Sequence, residues 1–195
     1  QQPWWSEYKG FVDALSREGM VLSKGTKTAN VLVMHPQTTA WTLFDGKEQN
    51  EEIDALDKKL LSVMHTLEVK HISYHLGDET IMERHASVKD GKIIIGKQSY
   101  DRVIMSCCEY LLPYTQKRII EFVNSGGKIV TADDIPPNDI TDRGDITYTK
   151  RGFDGFSVHY FTNTSPERKT ANINVSGKVL DIYSGDLLPF SGRHE

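Results

Sequence analysis

Residues 29–36 read Ala-Asn-Val-Leu-Val-Met-His-Pro, and this stretch decides the fold. Its centre, from Val31 to Met34, is a continuous apolar run, which is typical of a strand buried on both faces of a sheet. From Asn30 to Asp134, similar runs alternate with segments of helical periodicity. This alternation predicts right-handed βαβ crossovers and an open, mostly parallel sheet with helices on both faces. We therefore predict an α/β domain over residues 26–138.

The two ends of the chain have other patterns. Residues 6–23 space their apolar side chains as one stripe of an amphipathic helix, so we predict an N-terminal docking helix within residues 1–25. Beyond Asn138, short β-type runs are separated by turn signals such as Asp154-Gly155 and Ser176-Gly177. Residues 139–195 are therefore predicted to form a small antiparallel β appendage that either packs on the α/β domain or is truncated.

Composition and charge exclude several classes of partner. The 195 residues carry a formal charge of -4, from 27 acids and 23 bases that are interspersed along the chain. Proteins that bind nucleic acid or anionic membranes cluster Lys and Arg instead, so we expect neither partner. No apolar run approaches the roughly 18 residues of a membrane span. The sequence begins at Gln1 rather than at Met, which indicates a processed product or an excised fragment.

The carboxyl edge of the predicted sheet is where ligands of open α/β folds bind. Five side chains on its loops are candidates for a ligand crevice: His35, Trp41, Cys107, Glu109 and Asp133. The loops contain neither a Gly-x-Gly-x-x-Gly nor a Gly-Lys-Ser/Thr motif, so no nucleotide cofactor is predicted. No spacing of histidine, cysteine and carboxylate residues matches a known metal site, so no metal is predicted. Trp41 could either stack on a sugar ring or cap the core.

Residues at this edge suit two kinds of catalysis. Cys107 or Cys108 could act as a nucleophile with His35 as its base, but a nucleophile elbow needs small flanking residues, and residues 106–110 contain no glycine. Glu109 and Asp133 could act as the paired carboxylates of a glycosidase if they faced each other across a cleft. Because isolated loop acids are usually solvated, we assign no catalytic residue from the pattern.

The order of three motifs resembles a known family. Residues 30–36, residues 100–105 and residues 122–130 together are similar to the class I glutamine amidotransferase-like domain. The version they resemble lies C-terminal to the catalytic barrel in rhamnosidase-like and β-galactosidase-type glycoside hydrolases. The flanking regions of those hydrolases resemble Gln2-Pro3-Trp4-Trp5 with its helix, residues 158–164 and residues 181–186. The resemblance implies a flavodoxin-like or amidotransferase-like sheet.

The resemblance also implies what the chain does not do. In the amidotransferases a nucleophilic cysteine follows the strand that corresponds to residues 128–130, but here residues 131–134 read Thr-Ala-Asp-Asp. The glycosidase residues of the relatives lie on a barrel that this sequence does not contain. The chain is therefore expected to be a non-catalytic accessory fragment, structural or oligomerising, of a carbohydrate-active glycoside hydrolase.

Partners and location follow from the same resemblance. The implied partners are the upstream catalytic domain of the same polypeptide, another copy of the chain, and a carbohydrate. The implied location is periplasmic or secreted, about which the residues themselves say nothing. Two alternative functions stay open at this point: a small hydrolase that uses the strand-exit edge, and a sugar-binding module.

Overall fold

A computed structural model describes residues 2–47, 50–138, 140–141, 145–173, 175–190 and 193–194. The helices are α1 (Tyr8–Ser23), α2 (Gln37–Leu43), α3 (Glu51–Val69), α4 (Glu79–His85) and α5 (Pro113–Asn124). The first eight strands are β1 (Thr26–Lys27), β2 (Val31–Met34), β3 (Tyr74–Gly77), β4 (Ala86–Lys89), β5 (Lys92–Ile95), β6 (Gln98–Tyr100), β7 (Arg102–Ile104) and β8 (Lys128–Ile129). The others are β9 (Ile140–Thr141), β10 (Ile146–Gly152), β11 (Ser157–Asn163), β12 (Ala171–Ile173), β13 (Gly177–Leu180), β14 (Leu187–Phe190) and β15 (Arg193–His194).

The chain divides into two compact units. The first, which we call the central unit, is Ala29–Asn138. The second, the terminal unit, combines the segment that ends at Thr28 with the segment that follows Asn138. Strand β1 belongs to the terminal unit because it pairs with β10, where Thr26 lies opposite Gly152.

A four-stranded parallel sheet organises the central unit, in the order β3-β2-β7-β8. All four residues of β2 are buried, which confirms the prediction of a strand covered on both faces. Its side chains alternate between two apolar clusters because successive residues of a strand point to opposite faces. One face packs against Met82, Ile93, Ile119 and Phe122, and the other against Leu60, Leu67 and Ile135.

An antiparallel sheet, in the order β4-β5-β6, lies in sequence between β3 and β7. The turn from β4 to β5 is Asp90-Gly91, and both residues have positive φ values, 49° and 69°. Two consecutive positive φ values are the requirement of the tight turn that favours Asp-Gly in hairpins. Gly96, with φ 60°, lies between β5 and β6.

The predicted fold class is wrong. An open, mostly parallel flavodoxin-like or amidotransferase-like sheet with a small antiparallel appendage does not describe this chain. Within the described residues, parallel pairing joins only four short strands, whereas the seven residue pairs between β10 and β11 form an antiparallel ladder. The physical reason is turn chemistry: residues 86–100 fold back through glycine turns into antiparallel strands, so the structure is a mixed α/β arrangement.

The starts of α3 and α5 follow from local chemistry. Asn50 caps α3, since its side-chain oxygen accepts hydrogen bonds from the backbone N–H groups of Glu52 and Ile53, each at 3.1 Å. Helix α5 begins at Pro113, and Thr115 is buried in its first turn. Proline is favoured at this first position because its missing N–H would have no partner there.

The terminal unit contains antiparallel sheets with the orders β1-β10-β11, β15-β12-β9 and β13-β14. A small apolar cluster forms around Ile146, Ala171 and Ile173. Helix α1 is tied to the turn between β13 and β14 by Arg17, whose Nη1 donates to the carbonyl oxygens of Ile182 and Tyr183 at 2.7 and 2.8 Å. These charge-assisted bonds fix which side of α1 faces that turn.

Candidate functional site

The carboxyl edge of the parallel sheet brings four loops to one side of the central unit. Strand β2 leads into α2, β3 leads into α4, β7 leads into the loop before α5, and β8 leads into residues 130–138. Parallel strands place all four of their carboxyl ends at this edge, which is the usual ligand site of such sheets. We therefore take it as the candidate functional site.

A buried carboxylate connects three of these elements. Glu79, at the start of α4, is 2% exposed. Its Oε1 accepts the hydroxyl proton of Thr38 in α2, and its Oε2 accepts the backbone N–H of Leu112 at 2.8 Å. A buried charge requires such partners, because unpaired burial is costly. The carboxylate of Glu79 therefore fixes α2, α4 and the start of α5 against one another.

Thr39 fastens the loop that follows β7 in a similar way. Its side chain is fully buried. Its Oγ1 accepts the backbone N–H groups of Glu109 and Tyr110, at 3.1 and 3.0 Å, and donates to the carbonyl oxygen of Tyr110 at 3.2 Å. One hydroxyl thus satisfies three backbone groups of a loop that no strand supports.

The two cysteines at this edge are held as protonated thiols. Cys107 is 3% exposed, and burial raises the pKa of its thiol. The Sγ of Cys108 donates to the carbonyl oxygen of Met34 at 3.5 Å. Burial, followed by the neighbouring Cys107 and Glu79, raises the pKa of Cys108 to about 12. Because the thiolate is the nucleophilic form, neither cysteine is activated at neutral pH.

The loop after β8 is fastened by a lysine. The Nζ of Lys70 donates to the carbonyl oxygens of Ala132, Asp133 and Ile135, each at 2.9 Å. The three donors of an ammonium group are thus matched by three backbone acceptors. This arrangement engages the backbone of Asp133 and leaves its carboxylate exposed on the surface.

The five predicted crevice residues do not form one constellation. His35 is half-buried, and its backbone N–H donates to Gly77 at 2.9 Å. Trp41 is 68% exposed, and Glu109 and Asp133 are exposed as well. Among the described residues, no hydrogen bond or ion pair joins any two of His35, Trp41, Cys107, Glu109 and Asp133. The same part of the chain contains no group of three or more metal-ligating side chains.

Sequence reasoning missed the polar residues that hold this edge together, above all Thr39 and Glu79. A weak signal was available for Glu79, because an acidic residue directly after the Asp78 N-cap of a helix is stabilised by the helix dipole. The contacts that Glu79 makes with Thr38 and Leu112 lie 41 and 33 residues away in sequence. No local pattern encodes such contacts.

Sequence reasoning also missed three side chains of the terminal unit that hydrogen bonds connect in a row. The Nε2 of His159 lies 3.0 Å from the Oγ of Ser157, and its Nδ1 lies 3.0 Å from the hydroxyl of Tyr148. Burial, and then the charge of Lys150 directly across the ladder, lower the pKa of His159. The imidazole is therefore neutral at pH 7 and engaged at both nitrogens. The signal was the Ser-x-His alternation of β11, which puts both side chains on one face.

Comparisons with known proteins add no relative. No model of a known protein family matches the chain. A search of curated proteins also finds no match. Among the described helices, none combines the length and apolar character that crossing a membrane requires.

Proposed function

We propose that this chain is a non-catalytic accessory module of a carbohydrate-active glycoside hydrolase. The absence of catalysis is supported by the carboxyl edge of the central unit, where hydrogen bonds hold the loops in place. Glu79 and Thr39 bond three of its loops to one another, Lys70 at the end of α3 holds the fourth, and the thiol of Cys108 has a pKa of about 12. An edge whose polar groups are occupied by backbone partners, and whose thiols stay protonated, supports the fold and lacks an activated nucleophile.

The glycoside hydrolase context is supported by the family resemblance alone. The order of the motifs at residues 30–36, 100–105 and 122–130 resembles accessory domains that follow a catalytic barrel. On this proposal the barrel is the upstream partner in the same polypeptide, and it supplies the acid and the nucleophile for carbohydrate hydrolysis. The accessory module supports that barrel or assembles copies of it.

The proposal is tested by assaying the purified chain with nitrophenyl glycosides and with glutamine. Both rates are expected to equal those of buffer, because the chain offers no activated nucleophile. Turnover that disappears in a Cys108→Ala or Glu109→Gln variant would contradict the proposal. A Glu68→Gln variant, which alters an exposed carboxylate on α3, controls for a general effect of charge removal.

A second candidate function is sugar binding, and the exposure of Trp41 favours it. A sugar-binding platform needs an aromatic face that is open to solvent, and Trp41, on α2 at the candidate edge, is 68% exposed. Titration of tryptophan fluorescence with monosaccharides should then give a saturable change that a Trp41→Phe variant loses. An unchanged spectrum, or an equal change in the variant, would eliminate this function. A self-sufficient hydrolase has no comparable support, since His35 is not hydrogen-bonded to either thiol in the described structure.

A further inference from the structure

The N-terminal segment presents an apolar surface that the terminal unit leaves uncovered. We call it the aromatic stripe, and its members are Trp4, Trp5, Tyr8, Phe11, Val12, Leu15 and Gly19. At about 100° per residue, those that belong to α1 fall on one side of the helix. The buried Ala14 lies on another side, as does Arg17, which is bonded to the turn between β13 and β14. The apolar stripe therefore faces solvent while the rest of α1 is anchored.

The exposed apolar area of the stripe is similar to that of the largest patch on a typical monomer, and such patches are often functional. Its four aromatic side chains are 42% to 58% exposed. Because an aromatic side chain carries roughly 150–250 Å² of surface, these four present about 400 Å². Val12 and Leu15, at 38% and 49% exposure, bring the total to about 500 Å². Contiguous apolar patches of this size commonly mark interaction sites.

The rings of the stripe are already ordered against one another. Trp5 stacks on Tyr8 with ring centroids 5.4 Å apart and planes inclined by 7°. Tyr8 also contacts Trp4 and Phe11, each at 6.0 Å between centroids. Contacts between these rings favour one arrangement of the surface that a partner would meet, and such preorganisation lowers the entropy cost of association.

We infer that this stripe pairs with the same stripe of a second copy of the chain, in an antiparallel α1–α1 contact about a two-fold axis. The inference extends the proposed accessory role by naming the partner. The sizes of the side chains support it, because the aromatic residues occupy the end from Trp4 to Phe11, whereas Val12, Leu15 and Gly19 follow, and Leu22, the next residue on this side of the helix, is half-buried. A Cβ at Gly19 would have no heavy atom within 4 Å, so this position is open.

An antiparallel arrangement matches large residues with small ones. With the two-fold axis between Phe11 and Val12, Trp4 of one copy lies opposite Gly19 of the other, and Tyr8 lies opposite Leu15. Each pairing occurs twice, as an isologous interface requires. Complete covering of both stripes would bury about 1,000 Å² of apolar surface, which is the size of a weak or transient interface. The pairing is therefore expected to depend on concentration.

The first test is the oligomeric state of the whole chain, measured by light scattering and sedimentation over a range of concentrations. We expect a dimer at high micromolar concentration, and a Phe11→Glu variant should be monomeric at concentrations at which the unaltered chain is at least half dimeric. Met20→Glu is the matched control, because Met20 is 60% exposed on the same helix but lies outside the stripe. It should leave the dimer unchanged. Circular dichroism checks that both variants keep their helix content.

The second test fixes the direction of the pairing. Under mild oxidation, a mixture of Tyr8→Cys and Leu15→Cys chains should form cross-linked dimers, and Tyr8→Cys alone should form far fewer. A chain that stays monomeric at all concentrations, or equal cross-linking of Tyr8→Cys with itself, would overturn the inference. Neither result bears on the assays for glycosidase and glutaminase activity. Conversely, turnover in those assays would contradict the accessory function but would not affect the inference that the chain dimerises.

Discussion

Replacing Thr39 by valine tests whether the candidate site is held by its own hydrogen bonds. Valine has nearly the shape of threonine but cannot bond to the backbone groups of Glu109 and Tyr110. A net hydrogen bond contributes roughly 0.5–1.5 kcal/mol, and three are lost. Glu109 and Tyr110 are exposed, so water recovers part of the loss. We expect Thr39→Val to lower the free energy of unfolding by about 2–3 kcal/mol.

Thr39→Ser is the matched control, because serine keeps the hydroxyl and removes one buried methyl group, at a cost of about 1 kcal/mol. The free energies of unfolding are measured in urea. Hydrogen exchange then measures the exchange rates of the backbone amides of Glu109 and Tyr110. Both amides should exchange faster in Thr39→Val than in Thr39→Ser. If the valine variant is as stable as the serine variant and both amides remain protected, Thr39 does not hold this loop.

Two further predictions concern other parts of the chain. Lys70→Met removes an ammonium group that is bonded to three carbonyl oxygens, so we expect a loss of about 2–3 kcal/mol and faster proteolysis near residues 131–135, whereas Lys58→Met, on an exposed face of α3, should do neither. His159 has a lowered pKa in the folded chain, so its contribution to stability is fully present above the unfolded pKa of about 6.5 and is lost as the pH falls through the folded pKa. The urea midpoint should therefore drop more steeply between pH 7.5 and pH 5 in the unaltered chain than in His159→Gln, and equal slopes would contradict this.

Local signals in the sequence sufficed for elements that depend on neighbouring residues. The four-residue apolar run of β2 identified a fully buried strand, and Asn50, a residue type favoured at helix N-caps, lies directly before α3. Both features follow from burial and capping, which act over a few positions.

The fold class depended on pairings that no local pattern fixes. Residues 86–89 carry little strand signal, and they join the antiparallel sheet because Asp90-Gly91 turns the chain back on itself. The residues that hold the candidate site together could not be predicted from the sequence, for a related reason. Thr39 and Glu79 belong to residue types that are usually solvated, and only the sheet order β3-β2-β7 brings them to their partners.

The central claim is that the carboxyl edge contains no activated nucleophile. Its most direct test is the alkylation rate of Cys108 in the native chain, measured as a function of pH. Peptide mass spectrometry identifies the alkylated residue. With a pKa of about 12, the rate should be low at pH 7 and should still be rising at pH 10, without a plateau. The unfolded chain supplies the reference, with a rate that levels off above an ordinary thiol pKa of about 8.5. Fast native alkylation that reaches its plateau by pH 8 would show an activated thiolate and contradict the account.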